Sequence, residues 1–398
     1  MTEMFDALII GGGPSGATAA ILLAQAGWSV LVVERSPFPR RKVCGEYLSA
    51  TNLPLLDRLG MGGRFRELAG PEVRQVGLFA GPAIITSPLP RPPEQADKWG
   101  RALSRESLDA VLLDRAASAG AVVWQPCSAI GLTRDGPGYA CLLRCHGTNT
   151  RAEVRAGIVI AAHGSWEPGP LPMQPSRRPA RPGDLLAFKA HFRESALPTG
   201  LMPLLVFPGG YGGMTHCDHG RVSLSCCIRR DQLARLRSGS AQSAGETVLG
   251  HLLESCLGVR RALAGARRDG QWLASGPIRP GIRPLARDGI FAVGNAAGEA
   301  HPAIAEGISM AIQSSFLLGR ELIAWRRQGR RRSALPLVGQ NYAASWRRCF
   351  GLRLHTSRAV AQWAMRPALH SLTHPLFSCF PGLLTLGARL SGKADSLV

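Results

Sequence analysis

The stretch from Ala7 to Glu34 constrains this chain more than any other. The apolar run Ala7–Ile10 is short enough for a buried parallel strand. It runs into Gly11, Gly13 and Gly16, spaced G-x-G-x-x-G, with Pro14 and Ser15 between them. Ala17 to Ala26 is rich in Ala, Leu and Ile, as a packed helix requires. Ser29–Val33 reads as a second buried strand and ends in Glu34, followed by Arg35. The pattern is a βαβ unit with an acidic residue placed for ribose hydroxyls. The glycines let the backbone approach a pyrophosphate, and the helix N-terminus offers it free N–H groups and partial positive charge. A merely structural glycine turn is the alternative, and the flanking strands argue against it.

The 398 residues allow one large α/β domain with a second layer, or two domains. No basic n-region with an apolar h-region is visible at the start, and no apolar run is long enough to span a bilayer. The ten cysteines lack paired zinc-type spacing; Cys141 with Cys145, and Cys226 with Cys227, find no second pair nearby. They are expected to be reduced thiols in a cytoplasmic protein. No metal site is expected, and the segment His216, Cys217, His219 lacks a further ligand pair. The net charge is +20, from 47 basic and 27 acidic residues, and Lys occurs only at 42, 98, 189 and 393. Basic residues cluster at 39–42, 177–181 and 325–332. Such a balance fits an anionic membrane surface or a carrier-protein-bound substrate, against the alternative of a solvated Arg-rich surface. No recognition helix, aromatic RNP-like run or zinc module is present, so nucleic acid is not expected as a partner.

Along the chain, 38–46 reads as a loop, Ala50 to Leu68 as a helix, and 71–93 as strand-like and Pro-rich. Ser104 is placed to cap a helix with helically spaced Leu108, Val111, Leu112 and Ala116. A strand at Ala121–Trp124, a hairpin around Asp135-Gly-Pro-Gly and a strand at Gly157–Ala162 follow. Short strands recur at Leu185–Phe192, Leu204–Phe207 and Val222–Ile228, with a helix over Ser243 to Leu257. A strand before Gly294 and a long helix from Glu306 to Trp325 restore the first pattern. The fold class is therefore α/β, a Rossmann-like domain with an inserted antiparallel-sheet domain and a C-terminal helical region. The nucleotide domain is expected from 1–70, 100–165 and 275–330, the sheet domain from 71–99 and 166–274, and a helical cap from 331–398.

Three separated motifs line up: the glycine fingerprint with Glu34, Ala161-Ala162-His163-Gly164-Ser165, and Gly294-Asn295-Ala296-Ala297-Gly298 followed by Pro302 and Glu306-Gly307-Ile308. Together they resemble the FAD-dependent oxidoreductases of the p-hydroxybenzoate hydroxylase fold, of glutathione reductase type in the nucleotide domain. Lys42-Val43-Cys44-Gly45 and Val206-Phe207-Pro208-Gly209-Gly210-Tyr211 bring the chain nearest the geranylgeranyl reductase family. The resemblance implies that Gly11, Gly13, Pro14, Ser15, Gly16, Glu34 and Arg35 hold the ADP half of FAD. It implies that Arg41, Cys44 and Arg105 reach the cofactor from the loop and the capped helix, and that Gly294 and Asn295 lie by the ribityl and pyrophosphate. Pro302, Gly307 and Ile308 would bring a helix N-terminus to the flavin, whose reduced negative charge it favours. Phe207 and Tyr211 would face substrate. Asn295 stands where the family usually has Asp, Ala305 where it has Gly, and His163 where it has Asp. With no second G-x-G-x-x-G in strand context, NAD(P)H would bind only transiently, as electron donor.

Cys44 is the leading reactive residue, since Arg40, Arg41 and Lys42 favour its thiolate. Glu46 is a candidate general acid, and His301 a candidate proton carrier beside the flavin motif, with Glu299 and Glu306 as neighbours. The expected chemistry is reduction or dehydrogenation of a carbon–carbon bond in a lipophilic or polyketide-like small molecule. Hydroxylation with NAD(P)H and O₂ shares all the motifs; a flavin isomerase, cyclase or halogenase, and a basic binding protein retaining FAD only structurally, are further alternatives. The basic, aromatic tail past Trp325 suggests peripheral contact with the inner face of a membrane, against the alternative of a cap over the cavity.

Overall fold

The computed structural model describes residues 4–90, 99–147, 149–164, 169–176, 178–239, 241–366 and 376–393. Ser165, Arg177 and the Pro-rich stretch 91–98, all singled out in the sequence, lie outside them, as do 367–375 and 394–398 of the tail.

The chain starts with β1 (Met4–Ile10), α1 (Pro14–Gln25) and β2 (Val30–Val33). Then come α2 (Leu53–Arg58), α3 (Gly62–Leu68), β3 (Gln75–Ala80), β4 (Ala83–Pro88), α4 (Arg105–Ser118) and β5 (Val122–Trp124). A hairpin of β6 (Cys127–Asp135) and β7 (Gly138–Cys145) leads into β8 (Thr150–Ala161). The second sheet adds β9 (Leu185–Arg193), β10 (Leu201–Phe207), β11 (Gly210–His216) and β12 (Val222–Arg229). It continues through α5 (Arg230–Arg237), α6 (Ala244–Ser255), α7 (Leu257–Ala262) and β13 (Arg267–Ile278). The last part holds β14 (Ile290–Ala292), α8 (Gly307–Arg327), α9 (Leu335–Ala364) and α10 (Gly382–Ala388).

Strands β14, β8, β1, β2 and β5 pair in that order, all parallel, with the β6–β7 hairpin running antiparallel off β8. Alternation along β1 sends Ala7 and Ile9 into a core with α1, α4 and α8, and Leu8 and Ile10 into a second core under the hairpin. Close contact between β1 and α1 depends on Gly16, where a Cβ would lie 1.8 Å from the Gly11 carbonyl oxygen. The second sheet runs β13-β9-β12-β11-β10-β3-β4, with only β10 and β3 parallel. One of its faces packs Leu224 and Ile228 against Leu252 of α6 and Val259 of α7. The other turns Leu78, Ala187, Val206 and Tyr211 toward α9.

Several expectations are corrected. The helix over 50–68 is two helices, α2 and α3, parted by a turn where Gly60 takes a φ of +74°. Strand β11 is not among the strands expected from the sequence, where Gly210, Gly212 and Gly213 leave little hydrophobic pattern around Tyr211. It is an interior strand, and Gly212 is needed there, since a Cβ would lie 2.6 Å from the Ser225 carbonyl oxygen. Cys127 and Cys145, expected as free thiols, are disulfide-bonded; they stand directly opposite each other on β6 and β7. The expected strand at Gly157 starts at Thr150, the edge positions of which are polar and carry no hydrophobic signal. No described helix is long and apolar enough to cross a membrane.

Candidate active site

A cavity of about 770 Å³ opens at the carboxyl ends of β1, β2 and β8 and continues under the cavity face of the antiparallel sheet. Open α/β sheets bind their ligands in this crevice. Gly11, Gly13, Pro14, Ser15, Glu34, Arg35, Cys44, Glu46, Arg105, Tyr211, Asn295, His301, Pro302, Gly307 and Ile308 all line it. Gly16 and Gly294 sit behind the lining. Gly294 takes a φ of +59° and donates its N–H to Ser314 Oγ at 2.9 Å.

The nucleotide end has the features a dinucleotide requires. The N-cap of α1 is Gly13, with no side-chain cap, so the first N–H groups of the helix are left for another acceptor. A Cβ on Gly13 would meet only Arg105 Nη2, at 3.5 Å, so the position is bare by composition and not by crowding. Glu34 is buried at the end of β2, where its Oε2 accepts the Gly12 N–H at 2.8 Å and its Oε1 the Ser36 N–H at 3.0 Å. Each oxygen keeps a lone pair for a ribose hydroxyl. Arg40, Lys42 and Arg105 converge on the same cavity. Arg40 Nε is buried without a hydrogen-bond partner. Burial, then the neighbouring Arg105 and Arg40 charges, pushes Lys42 down to about 8. A partnerless buried donor among crowded cations fits a pyrophosphate that would hydrogen-bond and neutralise it.

Arg41, expected at the cofactor, turns the other way: its Nε donates to Glu106 at 3.1 Å and its Nη1 to the Asp269 carbonyl at 2.9 Å. Arg40 and Lys42, which are not among the ligands expected from the sequence, line the cavity instead. Phe207 is corrected too: alternation along β10 puts Leu204 and Val206 on the face that Tyr211 shares, where Leu204 and Tyr211 line the cavity, while Phe207 is buried on the helix-covered face with its ring edge-on to His251 at 5.8 Å.

Arg105 starts α4, capped by Ser104, and forms a bidentate pair with Asp109 at 2.6 and 2.7 Å. Burial opposes its charge, but Asp109 outweighs burial and holds the guanidinium above its ordinary value, with Cys44 adding to the effect. Cys44 Sγ accepts the Glu46 N–H at 3.4 Å.

Glu46 is not the general acid expected. Its Oε2 accepts from His191 Nε2 at 2.8 Å; its Oε1 accepts from the Arg105 N–H at 2.8 Å and from Lys189 Nζ. Burial raises its pKa, but Lys189 and His191 together outweigh that and bring it down to about 2. It is a fixed anion. Cys217 completes a cluster whose ligand-type atoms lie within 4.8 Å, yet Lys189 already supplies the cation there. Burial, then Glu46 and Asp218, pushes the Cys217 thiol up, which disfavours the thiolate a metal needs. The signal for this cluster was present in the sequence: Lys189 and His191 sit two apart in a strand that is otherwise apolar up to its terminal Arg193, so they share one face.

His301 Nδ1 lies 3.2 Å from Tyr211 Oη, and its N–H donates to Ser357 Oγ on α9. Burial, reinforced by Arg358, pushes its pKa down to about 4, so it is neutral at physiological pH. Burial, with Cys227 and Glu299, holds the Tyr211 hydroxyl well above its usual value. With the proton on Nε2, His301 accepts from that hydroxyl. Asn295 Nδ2 donates to Glu299 Oε1 at 3.1 Å, a bond an ionised Asp cannot make. Ala305 sits in the left-handed region, φ 54° and ψ 36°, which explains why glycine suits that place.

Residues 4–169 match the model of the FAD binding domain family. This stretch, 4–169, is thus similar to an FAD binding domain. It is 32% identical to the digeranylgeranylglycerophospholipid reductase of Thermoplasma acidophilum, over 41% of this chain and 40% of that protein. The chain thus matches well under half the length of this relative. Digeranylgeranylglycerophospholipid reductase 1 of Methanothermobacter thermautotrophicus is 28% identical over 80% of this chain and 77% of its own length. Among solved structures, the myxobacterial chondrochloren halogenase superposes with a TM-score of 0.77 at 20% identity, covering 98% of this chain and 91% of that one. That likeness is one of fold. Gly13, Glu34, Arg40, Lys42 and Arg105 at the nucleotide end fall within the matched FAD binding domain, whereas the antiparallel sheet, apart from β3 and β4, lies beyond it.

Proposed function

We propose that this protein is an FAD-dependent oxidoreductase that reduces a carbon–carbon double bond in a lipophilic or polyketide-like small molecule, with NAD(P)H as transient electron donor, or in the opposite direction dehydrogenates such a bond and passes the electrons to an acceptor. One observation carries the reading. The cavity is continuous from the cationic nucleotide end to a greasy end lined by Leu78, Met202, Leu204, Trp363, Phe377 and Leu384. Bound FAD supplies the hydride chemistry. Gly13, Glu34, Arg40, Lys42 and Arg105 bind and orient the cofactor. The apolar end excludes water from an alkyl substrate. With Glu46 held ionised, the proton donors we favour among the described lining residues are the Cys44 thiol and the Tyr211 hydroxyl, which neutral His301 orients. The two reductase relatives, whose names describe lipid substrates, support the substrate class.

Peripheral contact with an anionic membrane in a cytoplasmic setting is part of the proposal. The segment 376–390 turns Phe377, Leu383 and Leu384 to the cavity, while Leu376 at its lining and Phe380, Leu386 and Leu390 are exposed. A chain of net charge +20 adds electrostatic attraction to such a surface. The test is anaerobic reduction of the flavin followed by mixing with isoprenoid lipids or quinones, and separately with labelled dioxygen. A product that gains hydrogen anaerobically supports the reading. A product carrying oxygen from the labelled gas makes the protein a hydroxylase and overturns it.

A further inference from the structure

The loop that carries Cys44 into the cavity has no regular secondary structure of its own, so something else must fix it. Glu46 ends the loop at a φ of +66°, a conformation that costs a non-glycine residue stability. What over-determines it is Lys189, from β9 of the antiparallel sheet. Lys189 Nζ donates to the Glu46 carboxylate and also to the Lys42 carbonyl at 3.4 Å. One buried ammonium therefore pins the chain two residues before and two residues after Cys44. Glu46 passes the constraint on. Its N–H donates to Cys44 Sγ, and its carboxylate accepts the N–H of Arg105, whose guanidinium interacts with the same sulfur.

We infer that Lys189 is a positioning residue for Cys44, acting through Glu46 and the Lys42 carbonyl and without touching substrate. The inference rests on Cys44 being the cavity thiol of the proposed reaction. It assigns the antiparallel sheet a share in setting the thiol, so that the loop and both sheets move as one unit.

The experiment is alkylation of the FAD-loaded protein by iodoacetamide, with modification at Cys44 and at exposed Cys379 quantified by peptide mapping in the same sample. Loss of two hydrogen bonds frees the loop, so Lys189→Met raises the Cys44 rate relative to Cys379 by about tenfold. If that variant does not fold, Lys189→Met with Glu46→Gln removes the lone buried charge. It still lacks a donor for the Lys42 carbonyl, so the ratio rises there too. A ratio within about twofold of wild type in either folded variant overturns the inference and leaves Lys189 a purely structural ion-pair partner. Because alkylation needs no turnover, an inactive protein still tests Lys189. An active reductase with an unmoved ratio refutes Lys189 alone.

Discussion

Replacing Glu46 with Gln keeps the shape of the side chain and removes its charge. Lys189 and His191 are then left buried opposite a neutral amide, as they are in wild type once Glu46 is protonated. The carboxyl sits at about 2, against 4.5 when free, which corresponds to about 3 kcal/mol of folding free energy. Loss of one partner from a buried ion pair costs a similar amount, about 3–5 kcal/mol. With a melting entropy of about 2 cal/mol/K per residue, a chain this long should melt about 4 °C lower. The sign with pH is fixed: a depressed carboxylate pKa adds stability above pH 4.5 that is lost as pH falls toward 2. Glu46→Gln should therefore trail wild type by a constant margin from pH 5 to 7, and the two melting curves should converge below pH 4.5. His301, pushed down to about 4, also destabilises both proteins as pH falls below its free value, and it cancels in the difference. Thermal unfolding followed by circular dichroism across this range decides the matter. A margin that persists unchanged at pH 3, or no margin at pH 7, refutes the ionised-anchor account.

Three further outcomes are expected. Ala305→Gly relieves a left-handed backbone worth about 1 kcal/mol, less part of that for the freer unfolded chain, so a thermal shift assay should show a small rise in melting temperature; a fall would show that the Ala305 methyl packs usefully. Asn295→Asp restores the residue usual in the family but sets a second carboxylate about 3.1 Å from Glu299, so it should cost about 1–2 kcal/mol in denaturant melts at pH 7, and less at pH 4. Gly13→Ala should fold, because its Cβ has room, yet bind FAD at least about tenfold more weakly in a fluorescence titration; unchanged affinity would remove Gly13 from the cofactor site. Gly16→Ala, with its Cβ 1.8 Å from the Gly11 carbonyl oxygen, should fail to fold and serves as the contrast.

The nucleotide end was legible in the sequence because its signals are local. A strand, a glycine turn, a helix and Glu34 lie within one short stretch, and their chemistry depends on backbone geometry that the same residues dictate. Ser104 as a cap and the long helix α8 were legible for the same reason. Strand β11 was hidden because its glycines leave little hydrophobic pattern, whereas in the fold Gly212 lets neighbouring strands approach. Arg41 and Phe207 depart from expectation because each side chain turns away from the cavity, and only packing decides which face is which.

The role of Glu46 could not be read locally at all. Its charge state is set by Lys189 and His191, which are far along the chain and brought beside it only when the antiparallel sheet docks against the loop. The sequence by itself determined a βαβ cofactor fold, because hydrogen bonding and steric fit act between near neighbours. The tertiary structure alone decided which carboxyl is an anion, which histidine is neutral and which cations line the cavity, because desolvation and Coulomb interactions depend on distance in space.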